Sequence, residues 1–260
     1  MSPNSGLLRT GKGENGESES EPGTRIGEHN PQIDAKRSVQ MDIRLLIKLF
    51  EENRDIEKAI PMQSYLKDQF PFLGIKAPER RALLKEFFNE TGLLKQDFNP
   101  DFVEALWDLK EREYQAAALD YIGKFTRKLD KSHLLLVEKL ITTKSWWDTV
   151  DMLAAHAVGA IAANNPEVIP EKIEGWATSE NMWLCRTAIL FQLKYKIRTD
   201  EDLLYRYILQ NNDSKEFFIQ KAIGWALREY SKTNPDSVKR FIESNTLARL
   251  SIREGSKYID

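Results

Sequence analysis

The chain has 260 residues, 30% charged and 41% hydrophobic, with a formal net charge of −2. This is the composition of an ordinary globular protein, and it carries no global charge signature of nucleic-acid binding, so any such binding must come from a local patch. No apolar run reaches the ~18 residues of a membrane span and no signal-peptide core follows the N-terminus, so a cytoplasmic protein without membrane contact is expected.

Residues 1–40 contain no aromatic side chain and are dominated by Gly, Ser, Glu and Pro. Such a segment cannot bury enough surface to offset its ordering entropy, so it reads as a disordered extension ahead of a domain spanning 41–260. From residue 41 the pattern is helical. "MDIRLLIKLFEE" has apolar residues at helical spacing. "FNPDFVEALWDLKERE" opens with Asn99 as N-cap and Pro100 at the first helical position. "EYQAAALDYIGKF" begins a helix near Tyr114, and 132–142 is a further helix.

"SWWDTVDMLAAHAVGAI" begins a helix at Trp147 whose core face is Val150, Leu153, Ala157 and Ile161. Ser145 and Asp148 have capping-box spacing, which gives Asp148 a local role. Asp151 has none, and it lies one turn after Trp147 on the same face. His156 reads as a satisfied, partly buried histidine. In "NNPEVIPEKIEGWA", Asn165 before Pro166 repeats the Asn–Pro start for a helix over 166–177. "MWLCRTAILFQLKY" begins a helix near Trp183. Its Cys185 is the chain's one cysteine, which excludes an intramolecular disulfide, argues against a cysteine zinc site and reads as a small core residue. After a helix at 200–210, "NDSKEFFIQKAIGWALREYSK" opens on Asp213-x-x-Glu216, a capping box, with its helix starting near Phe218; a last helix covers 235–244. No segment alternates with a period of two. The predicted class is all-α.

The aromatic-led helices start 33, 36 and 35 residues apart, with other helices between them. A two-helix unit at this period predicts an α-solenoid in which one helix row lines a concave face. A step of 35 from Asp151 reaches Arg186, and another reaches Lys221, one turn before Trp225. Two readings fit this stripe. One is a structural ladder of Asp–Arg contacts between repeats of the HEAT type. The other is a binding cleft with an acid for a cationic group, aromatics for a flat one, and cations for anions. Residues 181–260 hold 14 Lys and Arg against 10 Asp and Glu, and Lys221, Arg228 and Lys232 cluster around Trp225, a grouping suited to a phosphate backbone. There is no P-loop and no dinucleotide glycine fingerprint, and His29, His133 and His156 lack metal-ligand spacing.

Four stretches, "SYLKDQFPFLGIKAPERR" (64–81), "SWWDTVD" (145–151), "MWLCRTAILFQL" (182–193) and "AIGWALREYSK" (222–232), occur in order over 41–250. Together they resemble the AlkD-like DNA alkylation repair glycosylases. The resemblance implies HEAT-like repeats with a concave DNA-binding face. It also implies a monofunctional glycosylase, acting as a monomer without cofactor or metal, that hydrolyses the N-glycosidic bond of cationic N3- and N7-alkylated purines in duplex DNA, as base excision repair requires. On the matching motif positions, Trp147 and Asp151 are the catalytic pair, and Arg186 is the arginine that binds DNA and supports catalysis. Trp225 is the second wall of the lesion cleft and Tyr65 a tyrosine near the DNA. The alternative is a noncatalytic solenoid that binds nucleic acid or protein.

Overall fold

In the computed structural model, which describes residues 31–259, every regular element is helical and no strand occurs among the described residues. The chain opens with α1 (Pro31–Glu52), α2 (Ile56–Tyr65) and α3 (Ala77–Thr91). Two alternating rows follow. One row holds α4 (Pro100–Asp108), α6 (Leu134–Thr142), a π-helical turn (Ile169–Ile173) running into α9 (Glu174–Ala177), α11 (Glu201–Leu209) and α13 (Pro235–Ser244). The other holds α5 (Arg112–Phe125), α7 (Trp147–Met152), which runs through a π-helical turn (Leu153–Val158) into α8 (Gly159–Asn164), then α10 (Met182–Leu190) and α12 (Phe217–Ser231). α14 (Arg249–Gly255) closes the end by packing on α12. No helix among the described residues is long and apolar enough to cross a membrane.

The period is visible in the second row, where α5, α7, α10 and α12 start at 112, 147, 182 and 217, each 35 residues after the last. Ion pairs between neighbouring repeats recur at nearly that interval, 32 to 36 residues apart. Lys139 reaches Glu104, Lys172 reaches Glu138 and Arg206 reaches Glu174 on one side; Arg112 reaches Asp148 and Arg186 reaches Asp151 on the other. The first set is exposed and contributes little each. The fold is held by apolar faces. Phe102, Val103 and Leu106 of α4, Leu134, Val137 and Leu140 of α6, and Val150, Leu153, Ala157 and Ile161 of the α7–α8 rod are buried in one core that runs from Val39 to Tyr207. A second buried cluster, from Ala154 to Leu247, joins α10, α12 and α13. Each fully buried Leu or Phe stabilises by about 1.5–3 kcal/mol.

Local signals held at several ends and failed at others. Asn99 caps α4 by accepting from the Phe102 N–H at 3.1 Å, with Pro100 at the first helical position. Asn165 does not start a helix. It ends α8, and its side chain accepts from the Lys131 N–H of the preceding repeat. Asp213-x-x-Glu216 forms no capping box, because α12 starts at Phe217 with Glu216 as an N-cap that makes no side-chain bond. The division at residue 40 also shifts. α1 is helical from Pro31 and Val39 is buried in the core, since Val39, Ile43, Leu46 and Phe50 form one apolar stripe at helical spacing. The rest of the predicted extension, 1–30, lies outside the described residues.

Candidate active-site cleft

α7, α10, α12 and α14 together enclose a cleft of about 470 Å³. Trp147 and Asp151 line it from α7, Arg186 from α10, and Lys221, Trp225 and Arg228 from α12. Six of the eight residues singled out in the sequence therefore meet on one surface. Tyr65, at the end of α2, stands edge-on to Trp147 with ring centroids 5.7 Å apart, and its side chain is exposed beside the cleft. Lys232 does not line the cleft. It pairs with Glu229 at 2.6 Å, three residues back on its own helix.

Asp151 is nearly buried, and Arg186 donates to both of its oxygens, Nε to Oδ1 at 2.6 Å and Nη2 to Oδ2 at 2.8 Å. The third guanidinium nitrogen donates to the carbonyl of Phe218. Arg186 is itself buried and its donor edges are spent inside the protein, so the DNA-binding role that the resemblance implies for it has no free donor here, while the implied support of catalysis fits. Its role in the structure is to fix the Asp151 carboxylate in one orientation. Burial pushes the Asp151 pKa up, and the hydrogen bonds and charge of Arg186 oppose the shift. Both ideas raised by the sequence thus apply to one residue pair. Asp151–Arg186 is a rung between repeats, and it also faces the cleft.

Asp148 is not a helix cap. The N-cap of α7 is Trp146, and Ser145 donates instead to the Ile141 carbonyl. Asp148 accepts from Arg112 at 2.7 and 3.0 Å, one repeat earlier on the same row. Arg112 also donates to Thr149 Oγ1 and the Lys144 carbonyl, and its guanidinium lies 3.8 Å from the Phe70 ring centroid. The next residue, Glu113, is buried and accepts backbone N–H bonds from Leu73, Gly74 and Ile75. The first turn of α5 thus ties the segment after Tyr65 to the first turn of α7, and so sets Tyr65 against Trp147.

Glu254 organises the opposite wall. It is buried and lies within ion-pair distance of Lys221 (3.1 Å), Arg228 (3.3 Å), Lys257 (2.7 Å) and Arg253 (3.8 Å). Hydrogen bonds from Lys257 and then Lys221 hold its pKa down at about 2. Gly224, the residue before Trp225, allows this approach. A Cβ there would lie 2.5 Å from the Glu254 Cβ and 3.0 Å from the Ser251 carbonyl oxygen. Behind the cleft, Trp146, Trp183 and Phe218 form an aromatic cluster with centroids 5.1–5.8 Å apart. Glu254, Lys257, Arg112, Glu113, Phe217 and Phe218 all escaped the sequence reading as site residues. Looking for acids one repeat, about 33 to 36 residues, from each base would have paired Asp148 with Arg112 and Glu254 with Lys221.

His156 is exposed and makes no hydrogen bond to another described residue, against the expectation of a satisfied, partly buried histidine; it lines a second cavity instead. Cys185 is buried and donates to the Ser179 carbonyl, as a small core residue does. Among the described residues no group of three or more His, Cys, Asp or Glu is placed to hold a metal ion.

A family profile described as DNA alkylation repair enzyme matches residues 46–259. Among solved structures, a predicted DNA alkylation repair enzyme from Enterococcus faecalis is 37% identical, covering 79% of this chain and 96% of its own, with a TM-score of 0.70. AlkD2 from Streptococcus mutans shares the fold at 20% identity, covering 76% of this chain and 99% of its own, with a TM-score of 0.52. The smu.31 protein of Streptococcus mutans UA159 does so at 18% identity, over 71% of this chain and 97% of its own, with a TM-score of 0.51. No curated protein matches.

Proposed function

The chain belongs to the DNA alkylation repair enzyme family, and from that premise we propose that it is a monofunctional DNA glycosylase that excises cationic N3- and N7-alkylated purines from duplex DNA. The observation that carries the reading is a single carboxylate, Asp151, locked by Arg186 at the floor of a cleft walled by Trp147 and Trp225. An alkylated purine of this kind already bears a positive charge, so it needs no general acid to leave. The C1′–N bond breaks with its electron pair going to the departing base, and the sugar becomes oxocarbenium-like. The Asp151 carboxylate faces that cation. At ~4 Å and an effective dielectric near 20, such a pair contributes roughly 4 kcal/mol. A water molecule then forms the C1′–O bond, and Asp151 is placed to orient it and to take its proton. The raised pKa of Asp151 favours that transfer.

Trp147 and Trp225 offer electron-rich faces to the cationic base or sugar, on the order of 1–2 kcal/mol each. Tyr65 extends the Trp147 wall toward the duplex. Lys221, Arg228 and Lys257, gathered by Glu254, supply contacts to the flanking phosphates. The reaction asks for no cofactor, since the substrate supplies its own activation. The proposed site is built from one chain, and the reading takes the protein to act as a monomer. The domain that does this work is the helical stack of HEAT-like repeats from 31 onward.

One observation favours a noncatalytic reading. Asp151–Arg186 ties neighbouring repeats across 35 residues much as Asp148–Arg112 does across 36, so a purely structural duty would also explain it. Two variants separate the readings. Asp151→Asn removes the charge but leaves Arg186 buried without its counter-ion, so the protein loses stability as well as activity. Asp151→Asn/Arg186→Gln removes both charges and is expected to recover most of that stability. Released 3-methyladenine and 7-methylguanine are measured from methylated duplex DNA. The double variant is expected to fold and bind DNA yet excise on the order of 10²-fold more slowly. A folded double variant that excises at the wild-type rate would leave the structural ladder as the whole explanation of Asp151.

A further inference from the structure

A second cavity, of about 430 Å³, is left unused by this chemistry. It opens one residue along from Asp151, with one wall formed by Met152, Leu153, His156 and Ala157. α3 and α5 supply the other walls. Three features of it bear on what it could hold. Gly123 lies inside α5, where a glycine weakens a helix relative to alanine. A Cβ built there meets nothing within 4 Å, so no close packing requires the glycine. The exposed His156 makes no hydrogen bond to another described residue, and desolvation and then the Lys194 charge push its pKa down, so its imidazole can offer a ligand one donor and one acceptor. Finally, His156 sits on a π-helical turn, a costly local geometry that recurs at functional sites.

The chemistry of the walls is mixed in a specific way. The floor is apolar, formed by Leu84, Phe88, Leu119 and Ile122. The rim carries Arg81, Lys85 and Lys124 against one carboxylate, Asp120, which Arg80 already engages at 3.1 Å and Arg81 at 3.6 Å. The rim is therefore net positive. A bare phosphate would use the rim and leave the floor wet. A fatty acid would cover the floor but make no use of the His156 ring or the Asn89 amide at the mouth. A flat aromatic body with a hydrogen-bonding edge and an anionic tail uses all three.

We infer that this cavity is a nucleotide subsite: the base lies on the apolar floor where Gly123 leaves the helix backbone open, His156 and Asn89 bond its edge, and Lys85 and Lys124 hold its phosphate. Two sources share this chemistry. One is a free mononucleotide. The other is a nucleotide of a DNA strand running on from the Asp151 cleft, and this second source rests on the glycosylase reading.

The test uses the full chain and two titrations. Calorimetry with AMP, adenosine and inorganic phosphate reads the free-nucleotide source, and fluorescence anisotropy with undamaged duplex DNA reads the strand source. The key variant is Gly123→Leu, which fills the floor and places a better helix former in α5, so its melting temperature is expected to equal or exceed that of the wild type. If the source is free nucleotide, AMP binds saturably, adenosine and phosphate each bind at least about 10-fold more weakly, and Gly123→Leu weakens AMP by about 10-fold or more. If the source is a DNA strand, AMP does not bind, and Gly123→Leu lowers duplex affinity by about 10-fold with the fold intact. The site is overturned if Gly123→Leu leaves both AMP and duplex affinity at their wild-type values. A wild-type chain that binds AMP in this cavity but does not bind duplex DNA would sink the glycosylase reading and leave the subsite standing.

Discussion

Asp148 and Asp151 are three residues apart on one short helix, and the structure gives each a buried arginine from a different neighbouring repeat. Only Asp151 faces the cleft. Their substitutions should therefore part company. Asp148→Asn removes the counter-ion of the fully buried Arg112 and is expected to cost on the order of 3 kcal/mol of stability, while the folded fraction excises at the wild-type rate. Urea denaturation and single-turnover excision on the same sample read both numbers, and a large loss of rate per folded molecule would put Asp148 into the chemistry. The sequence pointed to Asp151 because no local motif explained it. It misread Asp148 because Ser145-x-x-Asp148 matches a capping box by spacing alone. Spacing could not reveal that Trp146 takes the N-cap position and that Arg112 reaches across from the preceding repeat. The same blindness to partners left Arg186 looking free to bind DNA.

At the scale of elements, periodicity carried most of the fold. The helix starts near Tyr114, Trp147, Trp183 and Phe218 lie within two residues of the observed 112, 147, 182 and 217. The two π-helical turns were invisible, and through the first of them Leu153, Ala157 and Ile161 keep an ordinary helical spacing of buried apolar residues. Equally hidden was the closing element, α14, whose Glu254 gathers the cations of α12. This contact has a pH signature. The Glu254 pKa is held at about 2, below its ordinary 4.5, so its contribution is complete above about 4.5 and is lost as pH falls toward 2. Over that window the packing of α14 on α12 is expected to weaken in the wild type. Glu254→Gln is expected to lose this contribution already at neutral pH and to show a flatter pH dependence. Hydrogen exchange of the α14 amides between pH 5 and 2.5, corrected for intrinsic rates, follows it directly. Parallel profiles for the wild type and Glu254→Gln would remove Glu254 as the link.

The whole molecule sorts its cations by what they touch. In the row of α4, α6, α9 and α11, Lys139, Lys172 and Arg206 are each paired with a glutamate of the neighbouring repeat and form an exposed ladder. At the cleft, Lys221, Arg228 and Lys257 share one carboxylate and so leave a net positive wall beside Trp225. A net charge of −2 for the chain conceals this separation, so composition could exclude a global polyanion binder and still miss a local one. Salt dependence of duplex binding resolves it. Each phosphate contact that releases a counter-ion adds about 0.9 to the slope of log affinity against log salt. Lys221→Ala, Arg228→Ala and Lys257→Ala are each expected to weaken binding and to flatten that slope by about 0.9. Lys232→Ala and Lys172→Ala are expected to leave the slope unchanged, because Lys232 pairs with Glu229 outside the cleft and Lys172 belongs to the other helix row. The controls make the measurement decisive. If Lys172→Ala flattens the slope as much as Lys221→Ala, the duplex lies on the opposite helix row and the cleft is not its binding face. If only the cleft variants do so, the phosphates run past Trp225 and Asp151 stands where the sugar of a bound lesion must lie.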